Sequence, residues 1–111
     1  MLGKIWTVSM FLVGAPGESK AFYFTAPFDC TLFHVSSCNI TGGTATLYIT
    51  DDTVAITDTD AIGTNVTPNV MNLDDMASDT YPHIAKDSVI GVILTDTDSD
   101  DVSVVMTFLV G

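Results

Sequence analysis

The residues of this 111-residue chain that could carry chemistry are two histidines, two cysteines and fourteen acidic side chains. His34 lies four residues from both Cys30 and Cys38 in one extended run, which places all three on one face of a strand. Four residues of strand span roughly 13 Å, too far for the three to ligate one metal. At roughly 3.3 Å per residue an unbroken strand also holds the two cysteines more than about 20 Å apart, so two free thiols are expected and no disulfide. His83 follows Pro82, no Gly-x-Ser-x-Gly elbow is present, and no Ser, His and acid fall into a nucleophilic order. Glycoside hydrolysis needs two carboxylates flanking a cleft. Here the acids fall mostly in turn-like stretches, where Asp is favoured for its local hydrogen bonds. Neither an enzyme nor a cofactor site is expected.

Asp96-Thr97-Asp98-Ser99-Asp100-Asp101 opens like a calcium loop, with carboxylates at alternate positions. Asp96, Asp98 and Asp100 are therefore the metal candidates. The sixth position is not Gly and the twelfth is Thr107, so a solvated turn is the expected state. Asn39-Ile40-Thr41 and Asn65-Val66-Thr67 match the glycosylation sequon, a pattern that chance supplies in a Thr-rich chain. Trp6, Tyr23, Tyr48 and Tyr81 could build a sugar-stacking platform, although packing in a core or an interface is the commoner use of such side chains.

The elements that hold these residues read as strands. Thr44 to Thr50 alternates strictly, with Ala45, Leu47 and Ile49 on one side, and Thr31 to Ile40 is a long β-branched and aromatic run. Gly42-Gly43 between them suits a tight hairpin turn, which predicts two adjacent antiparallel strands at the centre of a sheet. Phe22 to Ala26 is aromatic and stops at Pro27. Ile5 to Val13 puts Trp6, Val8, Met10 and Leu12 on one face and Ile5, Thr7, Ser9, Phe11 and Val13 on the other. The run loosely imitates a signal peptide, but Thr7 and Ser9 interrupt it and a strand is expected. Gly14 to Glu18 is dense in breakers, which predicts a hairpin between this strand and Ser19 to Thr25.

Asp51-Asp52 predicts a turn and Thr53 to Thr57 a short strand. Asp58 to Pro82 lacks a period and reads as a surface excursion with one short strand near Val66 to Leu73. Ser88 to Thr95 is apolar on both faces, so burial of both is expected. Val102 to Val110 directs Val102, Val104, Met106, Phe108 and Val110 one way. No run of ten residues has the period of an amphipathic helix. The chain is read as one all-β domain over residues 1–111, an antiparallel, jelly-roll-like β-sandwich.

Three lysines, no arginine and fourteen acids give a net charge of −11. Phosphate backbones and anionic lipid surfaces repel such a chain, so neither nucleic acid nor membrane is an expected partner. No stretch approaches the ~20 apolar residues of a spanning helix.

Ala26-Pro27-Phe28-Asp29-Cys30-Thr31-Leu32, Gly42-Gly43-Thr44-Ala45-Thr46-Leu47-Tyr48-Ile49 and Ile84-Ala85-Lys86-Asp87-Ser88-Val89-Ile90 together resemble the small jelly-roll-like decoration (cement) proteins and head-fibre domains of tailed-phage capsids. Cys30 stands where that family usually has Gly, and no Gly separates Lys86 from Asp87. The resemblance implies a symmetric homo-oligomer, a trimer by preference, bound to the major capsid protein on the outside of the shell, with no catalytic residues. A cement protein must offer apolar area that its own core does not use, and Met1, Leu2, Ile5, Phe11 and Val13 are the interface candidates. The alternative expectation is a carbohydrate-binding module that attaches to glycans.

Overall fold

The computed structural model describes residues 4–12, 20–39, 45–95 and 101–111. Ten strands lie among these residues: β1 (Lys4–Leu12), β2 (Lys20–Thr25), β3 (Cys30–Cys38), β4 (Thr46–Asp51), β5 (Val54–Ala55), β6 (Asp60–Ala61), β7 (Asn69–Met71), β8 (His83–Ile84), β9 (Val89–Thr95) and β10 (Val102–Val110). They form two antiparallel sheets packed as a β-sandwich. Sheet one runs β1-β10-β3-β7, with β8 also on β3; sheet two runs β2-β9-β4-β5, with β6 also on β4.

The order follows one rule. The first strand pairs with the last, β2 with β9, β3 with β7 and β8, and β4 with β5 and β6. A long ribbon paired from its ends inward and then rolled up, so that successive pairs fall in alternate sheets, is a jelly roll. Rolling overturns both predicted hairpins. β3 and β4 lie in different sheets, as do β1 and β2, because the connections cross the sandwich instead of turning back along one sheet. Gly42 and Gly43 lie outside the described residues.

The core is the inward set of each strand, including Leu32, Leu47, Ile49, Ile90, Leu94, Met106 and Phe108, all buried. Each contributes roughly 1.5–3 kcal/mol by leaving water. Trp6 closes one side of it. Its ring lies 4.8 Å from that of Phe108, 5.2 Å from Phe28 and 6.0 Å from Phe24, tying β1 and β10 to the opposite sheet. Burial of both faces of β9 is only half realised: Ile90, Val92 and Leu94 are buried, whereas Val89 is exposed on the outer face. The excursion holds two short strands, β6 and β7, and a 3-10 turn at Leu73–Asp75 instead of one strand, each short strand pairing with a longer one.

The two sequence segments on either side of Cys30 and Ser88 are stitched together by hydrogen bonds. Ala26 N donates to Ser88 O (3.0 Å), Asp87 N donates to Ala26 O (2.8 Å), and Lys86 N donates to Asp29 Oδ1 (2.8 Å). Asp87 has φ of 72°, a left-handed conformation that Asp tolerates through its own backbone contacts. That is the conformation a glycine would otherwise supply at this turn.

Candidate binding surface

The pleat of sheet one sorts its residues by face. Ile5, Thr7, Ser9 and Phe11 of β1 point outward, beside Leu109, Thr107, Val105 and Ser103 of β10. Thr31, His34, Ser36 and Cys38 of β3 continue the same surface. No Asp or Glu stands among them. Ile5 is 64% exposed, Phe11 61% and Leu109 43%; Ile5 and Leu109 stand side by side at one end of β1 and Phe11 at the other, with the hydroxyls of Thr7 and Ser9 between them. Beside this face, Lys4, Ile5, Trp6, Phe28 and Val110 line an open groove of about 480 Å³. Sequence reasoning found Ile5 and Phe11 but missed Leu109, Val105 and Phe28. The outward set Ser103, Val105, Thr107 and Leu109 carries the same hydroxyl-and-apolar mixture as β1, and that was the available signal. Met1, Leu2 and Val13, the other interface candidates, lie outside the described residues, as do Asp96, Asp98 and Asp100.

The described acids lie in turns or at strand ends, and several fasten them. Asp52 Oδ1 accepts from Val89 N at 2.8 Å and Asp75 Oδ2 from Asn72 N at 2.8 Å, as Asp29 does from Lys86. Asp52, Asp79, Asp87 and Asp101 all adopt positive φ. Among the described residues the acids thus sit at turns and strand ends, with Asp51 closing β4 and Asp60 opening β6, and none stands on the outer face of sheet one.

Cys30, His34 and Cys38 do not share a face. The pairing of β3 with β10 shifts register between Thr107 and Phe108, where Phe33 and His34 form a bulge. One extra residue inverts the alternation: Cys30 and Leu32 point inward before it, Val35 and Ser37 after it, and Cys38 is turned outward. Both thiols are free, Cys30 in the core and Cys38 half-buried. Burial first, then the nearby Asp29 and Asp51, hold the Cys30 thiol above its ordinary value. Of the four aromatic platform residues, Trp6 is packed on the core, and Tyr23 and Tyr48 stand on the outer face of sheet two. Tyr81 is exposed in the loop before β8. Asn39 is buried, its side-chain amide donating to Gly63 O at 2.5 Å, which withdraws it from glycan attachment, whereas Asn65 is exposed.

Among the described residues, two carboxyls are held above the ordinary 3.8. For Asp51 the cause is burial and then Asp52, opposed by a hydrogen bond from Ser88 and by His83; for Asp60 it is burial, opposed by a hydrogen bond from Asn69 and reinforced by Asp75. Asp51 Oδ1 is buried with no hydrogen-bond partner, consistent with a disfavoured charge. A raised carboxyl pKa means the folded chain keeps a proton the unfolded chain has released, so stability falls as pH rises from 3.8 through the folded value. Melting temperature is therefore expected to rise on acidification from neutral pH towards that window. Asp51→Asn should raise it at neutral pH and flatten the profile. Scanning calorimetry across pH checks this; a variant less stable than the parent at neutral pH would contradict it.

The chain matches no family model, no curated protein and no solved structure.

Proposed function

We propose that the protein is a structural decoration subunit that stabilises the outer surface of a phage head by burying its own sheet surface against neighbouring subunits, with no catalytic step. The observation that carries this reading is the carboxylate-free outer face of sheet one, with Ile5, Phe11 and Leu109 exposed in a chain of net charge −11. A protein that repels its own copies needs an uncharged surface wherever it meets one. The jelly-roll order suits the resemblance in Ala26 to Leu32 and Ile84 to Ile90, which implies the major capsid protein as partner and a homo-oligomer, threefold by preference. Outward display also suits the charge, since a lumenal subunit would face packaged DNA.

Salt distinguishes this contact from an ionic one. Screening removes repulsion between acidic copies and leaves apolar burial intact, so association is expected to strengthen as salt rises. Sedimentation over a salt series, with and without shells assembled from the major capsid protein of the same genome, checks both contacts. A compact monomer at every salt that fails to pellet with shells would remove the proposal.

Glycan binding keeps one supporting observation. Tyr23 is 62% exposed, its ring lies over Gly91, and Tyr48 stands two strands away on the same uncharged face. Glycan-array binding lost in Tyr23→Ala and Tyr48→Ala would favour it.

A further inference from the structure

We infer that β1 is a self-pairing edge, and that two copies join sheet one to sheet one by antiparallel β1-to-β1 addition centred on Val8. Among the described residues β1 is the end strand of its sheet, with β10 as its one strand partner. Edge strands that must stay single carry charges, prolines or bulges along their length. Between Ile5 and Leu12 this one has none.

Three features select a second copy as the occupant. First, the strand is self-complementary about Val8. A twofold register sets Ile5 opposite Phe11 of the second copy, Trp6 opposite Met10 and Thr7 opposite Ser9, matching apolar with apolar and hydroxyl with hydroxyl. Secondly, the groove at the Lys4 end meets the Leu12 end of the other strand, where Phe11 stands 61% exposed in the isolated chain. Thirdly, Lys4 is the one charged residue of β1, and the twofold register sets it opposite Leu12 of the second copy, at the far end of the strand from the other Lys4. The paired strands therefore bring no like charges together. A continuous sheet across a twofold axis is an isologous, closed interface. It differs from the threefold arrangement that the resemblance implies because it follows the strand's own symmetry. The inference shares with the decoration reading only the premise that this surface is a contact.

Charge substitution at the central cross-strand pair tests both the contact and its register. Thr7→Glu with Ser9→Glu places like charges opposite each other twice across the axis, whereas Thr7→Lys with Ser9→Glu places opposite charges there. Both side chains are exposed, and circular dichroism verifies the fold. Sedimentation equilibrium is expected to show a dimer for the parent chain, association weakened about tenfold or more by the first double variant, and a dimer again for the second. A parent that remains monomeric, a trimer, or a dimer indifferent to both variants would overturn the inference. Shell binding, read separately by pelleting, can persist in each of those cases, so the two proposals fail independently.

Discussion

Gly63→Ala is expected to destabilise the fold by about 3 kcal/mol or more, the upper range for forcing volume into a packed site. A β-carbon built at Gly63 meets Asn69 N, and lies 2.6 Å from both Pro68 C and Ser37 O. All three are backbone atoms, so no side chain can swing aside. The backbone cannot retreat cheaply either. Ile62 N donates to Ala45 O (3.0 Å), Thr64 N donates to Thr67 O (2.9 Å), and Gly63 O receives the Asn39 amide. One methyl group would therefore separate the excursion from β3 and from the entry to β4. At Gly91 the added carbon instead meets Thr50 Oγ1 and the edge of the exposed Tyr23 ring, both side-chain atoms, and a smaller loss is expected. Urea unfolding of both variants checks the order. A Gly63→Ala chain as stable as Gly91→Ala would refute the backbone argument.

Phe108→Ala is the second large effect, expected at about 3–5 kcal/mol. Phe108 is fully buried, paired with Trp6 on one side and Leu32 on the other, with its ring 6.3 Å from Phe24 of sheet two. Truncation opens a cavity where the two sheets meet β1. Against a typical total of about 5–15 kcal/mol, that loss leaves a marginal domain. Phe11→Ala separates core from contact. Phe11 is 61% exposed, so its truncation should change monomer stability by only about 0.5 kcal/mol while weakening β1 self-association. Thermal melts of dilute protein, beside sedimentation of concentrated protein, read the two effects separately. If Phe11→Ala lowered monomer stability as much as Phe108→Ala, the assignment of inward and outward faces on sheet one would be wrong.

Most of what the sequence determined here is local. Alternation in Ile5 to Leu12, Thr46 to Ile49 and Val102 to Val110 follows from the two-residue pleat, so the faces of β1, most of β4 and β10 were readable residue by residue, while Thr50, expected in water, is buried. The uncharged outer set of β1, with Ile5 and Phe11 exposed, was readable in the same way, as was the assignment of the acids to turns. Pairing was not. Lys4 meets Val110 and Lys20 meets Leu94, partners chosen by which inward faces fill one core, and nothing in either local segment encodes that choice. Gly42-Gly43 offered a local hairpin that the rolled ribbon does not use, because sequence neighbours must cross to opposite sheets for both to bury their apolar faces. The bulge at Phe33 and His34 was equally hidden: a single inserted residue leaves composition and propensity unchanged yet inverts every later side chain, turning Cys38 outward. Tertiary pairing alone decided that inversion, because the register is set by β10 across the sheet and not by β3 itself.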